Sequence, residues 1–153
     1  MSVPPQPIPS SSNRSRNIAI AVVLALFALI GLGIFSAVRG FQQVRSETEP
    51  VAERFLTSIE KHDFAEAYSL LSPGTQKLTT PKKLSDLVAL LEKDRGKMTG
   101  HGKPTNFFAG INNGTQHAKV VYRESYKSGE GAVTLVLTKA GEEWRVNSFN
   151  YQL

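Results

Sequence analysis

Residues 59–73 read Ile59-Glu60-Lys61-His62-Asp63-Phe64-Ala65-Glu66-Ala67-Tyr68-Ser69-Leu70-Leu71-Ser72-Pro73, and this stretch decides the class of the domain around it. Ile59 closes one amphipathic pattern. Asp63-x-x-Glu66 then has the spacing of a reciprocal helix cap, in which side chains satisfy the free backbone N–H groups of a first turn, and it starts another helix. Phe64, Ala67, Tyr68, Leu70 and Leu71 give that helix an apolar face, and Ser72-Pro73-Gly74 is expected to stop it. Two helices joined so tightly must bury their apolar faces against a second layer, which the flanking sequence has to supply.

Upstream, Ser46-x-x-Glu49 and Pro50 predict the start of the first helix, with Val51, Phe55, Leu56 and Ile59 on one face. Downstream, Thr80-Pro81 opens a third helix with Leu84, Leu87, Val88 and Leu91 at helical spacing, ending near Gly96. The period then changes from helical to alternating. Phe107, Phe108 and Ile111 precede Asn112-Asn113-Gly114, a hairpin signal, after which Ala118, Val120 and Tyr122 alternate with Lys119 and Arg123. Lys127-Ser128-Gly129-Glu130-Gly131 turns the chain into Val133, Leu135 and Leu137, and Ala140-Gly141 turns it again. In the last run Trp144 and Val146 share one parity while Phe149 and Tyr151 take the other, which a bulge near Asn147-Ser148 reconciles. Three helices followed by an antiparallel meander predict an α+β domain over residues 46–153, its helices packed on one face of a curved sheet.

The first forty residues differ in kind. Residues 1–16 hold Pro4, Pro5, Pro7, Pro9 and Ser10-Ser11-Ser12, have almost nothing to bury, and read as a disordered tail. From Ile18 to Val38 every residue is apolar or small, and at a rise of about 1.5 Å per residue the run covers roughly 30 Å, a hydrocarbon core's thickness. Residues 17–39 are therefore expected to form a transmembrane helix, making the lipid bilayer a partner through 18–38. A cleaved signal peptide is disfavoured, because the exit Phe35-Ser36-Ala37-Val38-Arg39 lacks a small residue at Phe35 for a small-x-small site. Arg14 and Arg16 with no acid before the run predict a cytoplasmic N-terminus and an extracytoplasmic domain, a single-pass inner-membrane protein. Gly33-x-x-x-Ala37 is a small-residue pair of the kind that lets two such helices approach.

Composition excludes several chemistries. All 13 acidic residues lie beyond Arg39, so the formal charge of +5 owes much to Arg14, Arg16 and Arg39, and the rest of the chain has no basic face for nucleic acid. The absence of cysteine removes disulfides, thiolate catalysis and cysteine-ligated zinc. His62, His101 and His117 sit on separate segments without paired metal spacing. No Gly-x-Ser-x-Gly elbow appears, and the glycine pairs Gly100/Gly102 and Gly129/Gly131 precede no helix that could cradle phosphate. Asn113-Gly114-Thr115 and Asn13-Arg14-Ser15 match the glycosylation acceptor pattern, although the first is explained as a turn.

The helix pair at residues 59–73 and the ending Gly141-Glu142-Glu143-Trp144-Arg145-Val146-Asn147-Ser148-Phe149 resemble small domains of the nuclear transport factor 2-like (cystatin-like) superfamily. Several of its bacterial branches open with a small-x-Asp-aromatic-x-x-Ala-Tyr helix pair and close on Gly-x-x-Trp-basic-apolar. The resemblance covers roughly residues 46–153, and its motifs are structural, so they speak to fold far more than to activity. It implies a cone between helices and sheet, which Phe55, Tyr68, Phe107, Tyr122 and Trp144 would line, with room for a small hydrophobic ligand if the core leaves it open. It also keeps acid–base catalysis open, because enzymes similar to ketosteroid isomerase use a carboxylate and a tyrosine in that cone, for which Asp63, Tyr68 and Tyr122 are the candidates. No catalytic position of the family maps onto this chain residue by residue, so none is assigned, and no cofactor or metal is expected. The favoured reading is a non-enzymatic, membrane-anchored interaction or assembly module of the cell envelope, acting as a homodimer through its outer sheet face or on an envelope protein. Ligand binding in the cone is the first alternative and an acid–base lyase or isomerase the second.

Overall fold

The computed structural model of the chain describes residues 39–152. The chain divides into two units, Met1–Gly40 and Phe41–Leu153, and of the first only residues 39 and 40 are described, both helical and exposed. The expected tail at 1–16, and the expected span at 17–39 except for Arg39, lie outside the described residues. Among the described residues no helix is long and apolar enough to cross a membrane. The helix described from residue 39 carries Arg39, Arg45, Glu47, Glu49, Glu53 and Arg54, charges that hydrocarbon does not accept. The expected fold class is corrected accordingly: the described residues form an α+β domain, and none of their helices is the membrane span placed ahead of it.

Among the described residues there are four helices where three were expected. The first, α1, runs over 39–60, and α2 follows at Phe64–Ser69, α3 at Pro73–Leu78 and α4 at Pro81–Arg95. Strands β1 (Met98–Asn112), β2 (Thr115–Tyr126), β3 (Gly129–Ala140) and β4 (Glu143–Gln152) form one antiparallel sheet in sequence order.

α1 does not start at the expected cap. Ser46 Oγ donates back to the Gln43 carbonyl at 2.9 Å, Thr48 Oγ1 to that of Val44 at 2.7 Å, and Glu49 accepts from Arg45, so no side chain caps a helix there. Helix continues through Pro50, whose missing N–H costs about 3 kcal/mol in a helix interior. Ala52, Phe55, Leu56 and Ile59 just beyond it are at most 1% exposed, and each large apolar side chain buried contributes about 1.5–3 kcal/mol, so packing outweighs the proline.

The extra helix, α3, grows from the sequence read as a stop. Ser72 accepts from the Thr75 N–H at 3.3 Å as N-cap, and Pro73 follows where a proline costs nothing. Asp63 caps α2 by accepting from Glu66 N–H at 3.1 Å, and Thr80 caps α4, which ends at Gly96 with φ 74. Only a residue without Cβ adopts that backbone readily, and here a Cβ would also stand 3.0 Å from Lys127 Cβ.

Asn113 (φ 48) and Gly114 (φ 76) make the two-residue β1–β2 turn, both left-handed as a primed turn requires. β1 begins nine residues before Phe107, across Thr99-Gly100-His101-Gly102-Lys103-Pro104, a run with no strand pattern of its own. Three register shifts between Met98 and Asn106 absorb its irregularity, and Pro104 is tolerated because β1 is an edge strand. In β4, Asn147 is the extra residue opposite the Val136/Leu137 step, so Trp144, Val146, Phe149 and Tyr151 all reach the core side. Thr75 Oγ1 donates to the Asn147 carbonyl at 2.5 Å, and residues 70–72 join β4 through a parallel bridge between Leu71 and Val146, tying α2 and α3 to that bulge.

Candidate functional site

The core-facing parity of β2 is Ala118, Val120, Tyr122, Glu124 and Tyr126, all buried. Four of the five are ordinary core residues, and the fourth in order is a carboxylate. Glu124 is 1% exposed, lies between His101 of β1 and Gly131 of β3 in register, and accepts a hydrogen bond from the Tyr126 hydroxyl at 2.7 Å on Oε2. Its Oε1 has no hydrogen-bond partner among the described residues, and the same is true of the buried hydroxyls of Tyr122 and Tyr151. Gly131 leaves no side chain opposite Glu124, and the Tyr126 ring occupies that space, since a Cβ on Gly131 would meet Tyr126 Cε2 at 3.1 Å.

Polar groups from the helices border this end of the sheet. Glu60, at the end of α1, pairs with His101 Nδ1, and the His101 ring stands edge-on to Tyr122 at 5.7 Å. Glu92 of α4 receives the Met98 N–H at 3.2 Å on one oxygen and faces His62 Nε2 at 3.2 Å with the other. Burial, reinforced by the negative Glu60, pushes the Glu124 carboxyl up to about 7, against the opposing pull of the Tyr126 hydrogen bond and of His101. Burial also raises the phenols of Tyr122, Tyr126 and Tyr151.

Of the five aromatics expected to line a cone, Phe55, Tyr122 and Trp144 belong to the hydrophobic core cluster and Tyr68 and Phe107 pack against it. Phe55 and Tyr122 are fully buried, with Phe55 stacked obliquely on Phe149 at 5.4 Å. Phe107 packs edge-on against Phe41 at 5.1 Å with the Arg45 guanidinium 6.0 Å from its ring centre. Trp144 borders an open cleft of about 550 Å³ between α1, α2 and β4, and Tyr68 a neighbouring one of about 530 Å³. Ion pairs furnish the walls of both. Arg145 donates to the Ser69 carbonyl at 2.6 Å and pairs with Glu143, and the Trp144 indole N–H donates to Glu47 at 2.8 Å. That indole and then the Gln43 amide hold the Glu47 carboxyl below its usual range, with Lys139 adding to them.

Asp63, Tyr68 and Tyr122 fall into three separate settings: Asp63 caps α2, the Tyr68 hydroxyl donates to the Gln76 carbonyl at 3.3 Å, and Tyr122 lies under His101. His62 takes a left-handed backbone (φ 58) in the α1–α2 turn. No group of three or more potential ligands that could hold a metal ion occurs among the described residues. The carboxylate and phenols at the Glu124 end line neither of the two clefts beside Trp144 and Tyr68. Glu124 was missed from the sequence, yet its signal was there: a carboxylate at the core parity of a strand, between two tyrosines.

The chain matches no family model and no curated protein.

Proposed function

We propose that Phe41–Leu153 is a non-enzymatic interaction or assembly module of nuclear transport factor 2-like kind, which pairs with a second copy through the outer face of its sheet. The observation that carries this reading is how differently the two faces are used. On the helix side Val120, Val133, Leu135, Leu137 and Val146 are sealed at 0% exposure. On the other, Lys119, Arg123, Ser148 and Asn150 are exposed, Val121 and Val136 half-buried, and Phe108 is 62% exposed. Strands of 10 to 15 residues give this face real extent. At spacings of about 4.8 Å between strands and 3.3 Å along them it offers on the order of 600 Å² in outline, near the roughly 800 Å² per partner of a stable interface. The setting at a cell envelope belongs to the same proposal.

The chain has no cysteine, so Val136→Cys introduces a single thiol at the centre of the face. Oxidation should link two copies of the full chain, and Val136→Glu should shift its sedimentation toward the monomer. A monomer at every concentration, with no thiol linkage, overturns the pairing. A small ligand held near Glu124 is the second reading, favoured by the unpartnered Oε1 of Glu124 and the hydroxyls of Tyr122 and Tyr151. A bound molecule that survives purification and appears in native mass spectra would support it.

A further inference from the structure

We propose that Glu124 is a proton-controlled latch: while its carboxyl is neutral the end of the sheet stays closed over it, and when it ionises the bulged segment Met98–Pro104 opens to admit water. The geometry supplies both halves of the device, a charge with nowhere to go and a cover that can leave.

The charge is trapped. An ionised Glu124, 1% exposed, keeps one donor, the Tyr126 hydroxyl, and its Oε1 keeps none. From α1 it faces Glu60, of like charge, and from β1 His101, which is already engaged with Glu60. α4 brings Glu92 and Arg95 to Tyr126 beside it, β4 brings Tyr151, and β3 brings Gly131. A buried carboxylate without a full set of partners is a state proteins relieve by protonation or by hydration. Burial holds this carboxyl near 7, so protonation relieves it in mild acid and hydration has to do so at alkaline pH.

The cover is an irregular stretch of an edge strand. β1 pairs on one side only, and three register shifts fall between Met98 and Asn106. Pro104 gives no N–H, and a bulge interrupts the ladder wherever it occurs. Met98 anchors the start of the segment in the core, its N–H on Glu92, and beyond it the side-chain fastenings are Thr99 Oγ1 on the Ser125 carbonyl at 3.1 Å and the His101–Glu60 pair. Local openings of this kind cost less than unfolding the sealed rows of β2 and β3.

The test is amide hydrogen exchange of the full chain between pH 5 and 8, corrected for intrinsic exchange chemistry. Protection of Thr99–Lys103 should fall at least tenfold further than that of Val133–Leu137 across that range, and Glu124→Gln should abolish the difference. Tyr126→Phe provides the second handle: with the one donor to the carboxylate gone, the midpoint of the opening should move to higher pH. An equal pH response in both segments, a response that persists in Glu124→Gln, or an unmoved midpoint in Tyr126→Phe would each overturn the latch. None of these readouts depends on oligomeric state, so pairing through the outer face and the latch stand or fall separately.

Discussion

The two ends of the sheet are made from the same strands at the same parity, and they hold together by different means. At one end Ala118, Leu137 and Val146 form a row sealed to 1% exposure or less, and Leu71 is bridged onto it. At the other the row is His101, Glu124 and Gly131. One is apolar and closed by a segment of chain that also caps a helix; the other holds a carboxyl whose comfort depends on its proton. A single residue type at one core position thus divides a small domain into a pH-indifferent half and a pH-dependent half.

The hardest blow to this contrast falls on the apolar end. Leu137→Ala should cost about 2–5 kcal/mol in denaturant melts, by the same amount at pH 5 and pH 8, because the lost transfer and the cavity are uncharged. Next is the pH profile of the unmodified chain. Folding raises the Glu124 carboxyl from 4.5 to about 7, so the folded state binds the proton more tightly than the unfolded chain does. Its contribution is then complete below the unfolded value and is lost as the pH climbs through 7, on the order of 3 kcal/mol in all. Glu124→Gln should flatten that part of the curve; a profile that rises over this window would erase the contrast.

A smaller effect sharpens the apolar end. Ser72→Ala removes the cap of α3 and the bond from Ser72 Oγ to Asn147 Oδ1 at 3.1 Å, and should cost about 1 kcal/mol by thermal melting. Least of all, Lys82→Ala breaks an exposed pair with Asp86 on α4, remote from both ends, and should change stability by only a few tenths of a kcal/mol, vanishing in high salt.

Much of the domain was legible because its elements carry their own local signals. Thr80-Pro81 and Gly96 bound α4 as the sequence suggested, Asn113-Gly114 makes the turn, and the parity conflict in the last strand is resolved by a bulge at Asn147. What escaped was whatever another part of the chain imposes. α1 runs through Pro50 because Phe55 and its neighbours are buried beyond it, and Ser72-Pro73 starts a helix because Asn147 is there to receive it. Residues 98–106 are a strand because β2 offers a ladder, not because Gly100, Lys103 or Pro104 prefer one. Of the candidate site, the aromatic residues were legible as core, but Glu124 requires knowing that the alternation of β2 continues without interruption to Tyr126.

The two borders of the sheet limit how copies of the domain can meet. Along β1 the proline and the register shifts spoil the regular row of N–H and C=O groups that an incoming chain would need, and along β4 residues 70–72 already sit on Val146. Growth by adding strand to strand, the route to fibres, is blunted on both sides. Face-to-face pairing by a twofold axis has no such obstacle and consumes the surface it uses, so assembly closes after a single step.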